Sequence, residues 1–343
     1  MVLLPLMIIA VVGDLLLIFQ IIRERELFRE HRGSPKPCAV IVPLRGQEPA
    51  FEKHVMSLKH QDHPDYRLLY VIDEDERELH ERRLRELGVD FIVAENECSS
   101  CSGKVNAIIN AVKLFRNRAI VIADSDTIYP STWLRDMTSD LGRYPAVTTF
   151  TWPRPLRLSL SNLIRSGFWT FGFESQALGG RFLYGGSMAF VKGFFTDEVI
   201  EDLKDEWCDD CALTRIVKSR GGRIGYAASS LPINVFDERD LWSWSKKEAK
   251  ALLMYSRRGV AAFIVVVSVM IVLLAGYLLT LNPVLITPYV LWILKNVIRG
   301  RRYLPGALIP AVMSVPALLC SVFAVIGAQA DRRISWRGKV YTV

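Results

Sequence analysis

Five carboxylates stand where they could do chemistry. Asp73 ends the apolar run Leu68-Leu-Tyr-Val-Ile72, and Asp124 and Asp126 follow Ala119-Ile-Val-Ile-Ala123. Ligands of open parallel sheets bind outside the carboxyl ends of the strands, so these three acids are expected to converge on one crevice. An Asp-x-Asp there offers hard oxygen ligands, which suit Mg²⁺ or Mn²⁺ holding a diphosphate; the same pair could instead be a solvated turn or a helix cap. Asp209-Asp210 precede Ala212-Leu213 and Ile216-Val217 at helical spacing and are closed off by Gly221-Gly222. Acids in a first helical turn are favoured by the helix dipole, which accounts for one acid more readily than for a run that also holds Asp205 and Glu206. The alternative is a general base placed within reach of an acceptor hydroxyl.

Other reactive side chains are less directive. Lys104, in Ser102-Gly-Lys-Val-Asn106, could set a cation beside a diphosphate or be a surface residue. Cys98-Ser-Ser-Cys101 and Cys208-Asp-Asp-Cys211 each have zinc-ligand spacing but stand 107 residues apart. That is far beyond the usual separation of about 15–20. A four-cysteine zinc site and a disulfide between the pairs stay open beside free thiols, which are the expectation. Cys38 and Cys320 read as packing residues.

Elements that could position these groups emerge from the patterning of residues 36–255, where short β-branched runs alternate with charged, helical stretches, the signature of a mostly parallel sheet covered by helices. Strands are expected at Ala39–Pro43, Arg67–Ile72, Asp90–Val93, Ala119–Ala123 and Ala146–Phe150, and helices at Ala50–Lys59, Glu76–Leu87 and Val105–Phe115.

Apolar segments flank this domain. Val2–Ile22 is long enough to cross a bilayer, and the basic stretch that begins at Arg23 places residue 23 onward in the cytoplasm by the positive-inside rule. Val260–Leu281 and Leu304–Ala330 carry no charge and are also candidates to span. Pro283–Ile298 is shorter and holds Lys295 and Asn296, so spanning, re-entrant and interfacial placements stay open. If it spans, Arg299, Arg301 and Arg302 fall inside but the basic tail from Arg332 falls outside, and the crossing count stays at three or four. Ser161–Ala177, with Phe168, Trp169, Phe171 and Phe173, fits the membrane interface or an ordinary core helix. Leu241–Arg258, with two Trp, three Lys and two Arg, has the make-up of an interfacial collar.

The resulting division is an N-terminal membrane helix (1–22), a basic cytoplasmic linker (23–35), a catalytic domain (36–240), an interfacial segment (241–259), a C-terminal membrane region of two or three segments (260–330) and a basic tail (331–343). Composition agrees. Half of the 343 residues are hydrophobic and 23% are charged, yet mean hydropathy is positive, so the two classes are segregated along the chain. Disorder and a uniformly soluble protein are thereby excluded. The excess of 43 Lys and Arg over 36 Asp and Glu concentrates beside membrane segments, and with no basic and aromatic stacking platform, nucleic acid is not an expected partner.

Motif order sharpens the function. Pro43-Leu-Arg-Gly-Gln-Glu48, Gln61-Asp-His-Pro64, Asp73, Lys104, Ala123-Asp-Ser-Asp126, Gly185-Gly-Ser-Met188 and Asp209-Asp210 together resemble the inverting, membrane-bound family 2 glycosyltransferases, most of all the ceramide glucosyltransferase group and its prokaryotic relatives. Trp242-Ser-Trp244 and the tail Ile334-Ser-Trp-Arg-Gly-Lys-Val-Tyr341 look like that group too. The resemblance implies a GT-A-type α/β domain in which Pro43, Arg45, Glu48 and Asp73 line the nucleotide pocket. It further implies Asp124 and Asp126 on Mn²⁺ or Mg²⁺ and the diphosphate, with Asp126 the direct ligand, and Lys104 near the diphosphate. Gly185, Gly186 and Ser187 would border donor sugar and acceptor; Asp210 would be the base, and Asp209 would stand for the Glu of the family's Glu-Asp pair. One departure is the lack of a Gln-x-x-Arg-Trp string before the C-terminal helices, where Ser245-Lys-Lys-Glu-Ala-Lys250 stands instead; it weakens the case for a processive polysaccharide synthase.

The expected activity is transfer of a hexose from a nucleotide-sugar, UDP-linked by resemblance, to the hydroxyl of a membrane lipid by an integral membrane protein with a cytoplasmic catalytic domain. Within the same chemistry the rivals are a polyprenyl-phosphate glycosyltransferase and a polysaccharide synthase. From another class, the rival is a non-catalytic membrane protein that binds lipid or nucleotide, which would have no need of a base beside a metal.

Overall fold

The computed structural model describes residues 3–27, 33–177, 182–330, 333–336 and 339–342. Residues 28–32 of the basic flank, 178–181 at the head of the glycine-rich segment, and 331–332, 337–338 and 343 of the tail lie outside the described residues, as do residues 1–2. Two compact units emerge, one of residues 27–152 with 180–235 and one of residues 1–26 with 153–179 and 236–343. Residues 153–179, although inside the 36–240 stretch, thus group with the apolar helices.

The first unit is built on a seven-stranded sheet in the order Asp90–Ala94, Tyr66–Asp73, Cys38–Leu44, Ala119–Ala123, Ser187–Phe190, Ala146–Thr148, Ile224–Tyr226. The first four are mutually parallel, so Leu44, Asp73 and Ala123 all end at one edge. Ser187–Phe190 runs against both its neighbours, and Ile224–Tyr226 is parallel to Ala146–Thr148. Helices Phe51–Lys59, Arg77–Glu86 and Gly103–Val112 connect the parallel strands, as βαβ crossovers require. This is the mostly parallel, helix-flanked sheet expected.

Strands buried on both faces explain the uninterrupted apolar runs: Ile41, Ile120 and Ile122 belong to one core with the Gly103–Val112 helix, while Val40, Val42 and Val121 belong to another with Phe51, Val55 and Leu58. The strand expected over Ala146–Phe150 stops at Thr148, whose hydroxyl turns to the Ser187 carbonyl.

The second unit is helical: Leu3–Leu27, Leu160–Trp169, Phe171–Ala177, Leu241–Tyr255, Arg257–Thr280, Thr287–Arg299 and Leu308–Ala330. Leu3–Arg25, Arg258–Thr280 and Leu308–Gln329 are each long and apolar enough to cross a membrane. The stretch expected at 161–177 is two helices, with Phe168 and Phe173 buried.

Inside this unit lies a closed set of charges. Arg299, 2% exposed, donates to both oxygens of Glu24 at 2.7 and 2.5 Å and to Glu174 at 2.5 Å. Lys295 donates to Glu174 at 2.8 Å and to Gln20 at 3.1 Å. Removing one partner of a buried ion pair strands the others, at a cost of roughly 3–5 kcal/mol. Arg299→Met is therefore expected to lower the thermal midpoint of the detergent-purified protein sharply, an outcome that differential scanning fluorimetry checks.

Candidate functional site

The sheet edge gathers Asp124, Asp209 and Asp210 into one set and Asp73 into another, within the first unit. In one, the Lys104 ammonium lies 2.8 Å from Asp124 Oδ1 and 3.0 Å from Asp209 Oδ2, and donates to the Gly185 carbonyl at 3.1 Å. Its place is set by the helix it opens: Ser102 caps Gly103–Val112 by accepting the Val105 N–H at 3.2 Å, which points the first turn toward the end of the Ala119–Ala123 strand. Burial alone would lower the Lys104 pKa, but the Asp124 and Asp209 carboxylates outweigh it and hold the pKa above its ordinary value. Lys104 is a fixed positive charge.

Asp209 and Asp210 open the helix Asp209–Ser219, and Asp210 Oδ2 accepts the Gly185 N–H at 2.9 Å. Gly185 thus touches both charges of this set, donating to Asp210 and accepting from Lys104. A Cβ there would stand 2.8 Å from Lys104 Nζ and 3.3 Å from each of the Asp209 and Asp210 carboxylates, so a side chain would have to push the Lys104 ammonium out of its ion pairs. The Gly186 carbonyl accepts from the Tyr129 hydroxyl at 2.7 Å, and that hydroxyl lies 3.2 Å from the Asp124 carbonyl. Ser187 is fully buried, its hydroxyl accepting the Trp133 indole N–H at 2.7 Å.

The second set is Arg45 with Asp73. The guanidinium meets Asp73 Oδ2 at 2.5 Å and both oxygens of Asp75 at 2.9 and 3.1 Å, while the Gly46 N–H donates to Glu76 at 2.6 Å. Pro43 pairs across the sheet with Val71 in the same strands. The Ser125 hydroxyl donates to Glu48 at 3.4 Å, linking the Arg45 loop to the Asp-x-Asp. Asp126 Oδ1 accepts from the Thr127 hydroxyl at 3.1 Å, and its carbonyl accepts the Val235 N–H at 2.9 Å.

Sequence reasoning missed Asp75, Glu76 and Tyr129. The signal for the first two was present, since Asp73-Glu-Asp75 repeats at one strand end the Asp-x-Asp pattern of another. Nothing local marks Tyr129.

The cysteines do not form the arrangements held open for them. Sulfur pairs within each motif, Cys98 with Cys101 and Cys208 with Cys211, which corrects both the expected free thiols and the idea of a bond between motifs. The loops do meet, through Ser102 N–H to the Glu206 carbonyl at 3.1 Å. Cys38 and Cys320 are free, Cys38 buried as expected of a packing residue.

Among the described residues, only Cys208, Asp210 and Cys211 bring three ligand atoms within 4.8 Å of one another, so Asp124 and Asp126 supply no more than a two-carboxylate site. That donor set fits Mg²⁺ or Mn²⁺, which bind through one or two carboxylates and complete their shells with water and substrate phosphate.

Behind the Asp-x-Asp, the buried His54 donates from Nδ1 to the Thr127 carbonyl at 2.7 Å. Burial pushes its pKa down to about 4, so it is neutral at pH 7. Between that value and the unfolded value of about 6.5 the unfolded chain binds more protons, so stability falls as pH drops from 6.5 toward 4, by about 2 kcal/mol at pH 5. Thermal midpoints at pH 7 and pH 5 should show this loss, and His54→Asn should remove it.

The model of Glycosyl transferase family 21 matches residues 5–343. The chain belongs to this family. The order of motifs pointed to family 2, and the matching family is family 21. No curated protein matches the sequence. In structure, this family 21 chain is similar to mannosyltransferase PcManGT from Pyrobaculum calidifontis, solved in complex with GDP-Man and Mn²⁺, at 16% identity and a TM-score of 0.49 over 94% of this chain and 99% of that one. It is also similar to glucosyl-3-phosphoglycerate synthase from Mycobacterium tuberculosis, solved with Mn²⁺, uridine-diphosphate and phosphoglyceric acid, at 15% identity and a TM-score of 0.42 over 64% and 78% of the two chains. In this family 21 glycosyltransferase the charged sheet edge lies outside the carboxyl ends of parallel strands, where ligands of such sheets bind.

Proposed function

We propose that the protein is an inverting glycosyltransferase that moves a hexose from a UDP-linked donor to a hydroxyl of a membrane lipid. One observation carries the reading: a fixed cation, Lys104, joins the Asp-x-Asp at Asp124 to the acidic helix start at Asp209, with Asp210 hydrogen-bonded to the same glycine that Lys104 touches. In this reading Lys104 and Gly185 link the donor-phosphate side of the site to its base.

In this reading Arg45, Glu48 and Asp73, with Pro43, form the nucleotide side of the site, and Gly185, Gly186 and Ser187 the floor beneath the sugar. Asp124 and Asp126 would hold Mn²⁺ or Mg²⁺, which when bound neutralises the charge of the leaving diphosphate. Lys104 adds a fixed charge on the same side. Asp210 takes the proton of the lipid hydroxyl while its oxygen bonds to the anomeric carbon; the bond from that carbon to the diphosphate breaks, UDP leaves, and a single displacement inverts the anomeric configuration. Three helices long and apolar enough to cross a membrane support a lipid acceptor over a soluble one, and the positive-inside rule supports a cytoplasmic site.

The test is UDP release by detergent-purified protein from UDP-glucose, UDP-galactose and UDP-N-acetylglucosamine, with Mn²⁺ or EDTA, with and without lipid extract. Release that needs both metal and lipid is the expected result. Release without lipid would point to a soluble acceptor or hydrolysis and overturn the lipid assignment.

A further inference from the structure

Hydropathy selects Leu308–Gln329 as a spanning segment and passes over 283–299; contacts inside the helical unit argue the reverse. The segment from Asn282 to Arg299 tracks the first helix, Leu3–Leu27, along nearly its whole length and in the same direction. Asn282 Nδ2 lies 3.7 Å from Met7 Sδ, Thr287 donates to Asp14 at 2.5 Å, Lys295 to Gln20 at 3.1 Å and Arg299 to Glu24 at 2.5 Å. The offset in number stays at 273–275 throughout, as for two rods side by side. Met7 to Glu24 measures about 26 Å at 1.5 Å per residue, close to the ~30 Å hydrocarbon core. Where the first helix crosses, this segment crosses with it, and its polar groups are admissible in lipid because they face one another. The helix Arg257–Thr280 runs the other way: Leu273 and Tyr277 pack with Leu6, Met7 and Ala10.

Leu308–Ala330 behaves differently. Its Ser314 accepts from Trp292 at 3.1 Å and Asn296 at 3.4 Å, on the side of Arg299. A crossing helix would then end beside Leu281 and Met7. Instead Gly327 lies against Trp242 and Lys246, whose side chains would be 2.8 and 3.2 Å from a Cβ there, and Ala324, Val325 and Ala328 share a cluster with Ala249 and Val260. Trp242, Lys246 and Ala249 all precede the helix that leaves this side of the membrane. Both ends of Leu308–Ala330 therefore stay on one side.

The faces of this helix suit the same placement. Ala311, Ser314, Ala317, Ser321, Ala324 and Ala328 are buried, and small residues there permit the close approach of Gly167 to the Met313 backbone. Leu308, Val312, Leu319, Phe323 and Ile326 form the opposite stripe and are 46–61% exposed. A stripe of large apolar side chains of this kind needs a covering, and continuity with the spanning helices assigns the cover to lipid.

We propose that Pro283–Arg299 is the third crossing and that Leu308–Ala330 does not cross but lies in the plane of the leaflet on the side of Arg23 and Arg25, its exposed stripe in the acyl region. Arg299, Arg301, Arg302 and the basic tail then share one side with Arg23, Arg25 and Lys246, which removes the conflict of charges seen in the sequence and makes that side cytoplasmic.

The experiment uses cells that express the full chain with one added cysteine, at Leu281→Cys, at Arg301→Cys or appended after Val343, and a membrane-impermeant maleimide. Each variant is first shown to elute like the parent after detergent extraction. Leu281→Cys is expected to label on intact cells beyond the parent; the other two are expected to label beyond the parent only after permeabilisation. Labelling of Arg301→Cys from outside would overturn the crossing by Pro283–Arg299. External labelling of the appended cysteine would overturn the in-plane helix, and failure of Leu281→Cys to label on intact cells would overturn the orientation.

Discussion

Asp210→Asn is expected to reduce kcat by roughly 10²- to 10⁴-fold, the range that a positioned general base supplies, while leaving Mn²⁺-dependent UDP binding near the parent value. The substitution keeps size and an acceptor for the Gly185 N–H, which meets Asp210 Oδ2 at 2.9 Å, so the glycine turn is expected to hold. What is lost is the ability to take a proton from a hydroxyl whose oxygen must become nucleophilic. UDP release at saturating donor and lipid, beside UDP binding by the same preparation, separates the two effects. Asp209→Asn makes the contrast: Asp209 pairs with Lys104 at 3.0 Å, and Lys104 retains Asp124 at 2.8 Å, so a smaller loss is expected. Full activity in Asp210→Asn would remove the base assignment and favour a phosphate acceptor, which needs no strong base.

Much of this site could be seen in the sequence because each part obeys a local rule. Ala119–Ala123 is a strand over the residues expected, since an uninterrupted β-branched run between turn residues has few alternatives. Its parallel neighbours then bring Asp73 and Asp124 to one edge. Asp209 and Asp210 fall in a first helical turn as their spacing indicated.

Long-range arrangements were not legible. Lys104, 81 residues earlier, reaches the Gly185 carbonyl and would be crowded by a Cβ there, and no local pattern encodes that. Tyr129 ties Gly186 to Asp124 from a turn of no special composition. Hydropathy also misleads for the last two apolar segments, because a window sums side chains without asking what faces them. Lys295 and Arg299 look too polar for a spanning segment until Gln20, Glu24 and Glu174 are seen to meet them.

Asp126→Ala is expected to abolish the strengthening of UDP binding by Mn²⁺ as well as turnover, and this double loss distinguishes a metal ligand from a base. The protein offers the cation two carboxylates, so removing one takes away half of the protein's oxygen ligands of this kind, and the diphosphate and water cannot hold the ion in register by themselves. Charge neutralisation of a leaving diphosphate is worth several kcal/mol, so kcat/KM should fall by at least about 10³-fold. Lys104 cannot compensate: it is committed to Asp124, Asp209 and the Gly185 carbonyl, and a single ammonium carries half the charge that a divalent ion would supply. Titrating UDP with and without Mn²⁺ by calorimetry therefore separates three proteins. The parent should bind UDP more tightly with metal, Asp210→Asn should do the same without turning over, and Asp126→Ala should do neither. A normal metal response in Asp126→Ala would remove Asp126 as a metal ligand.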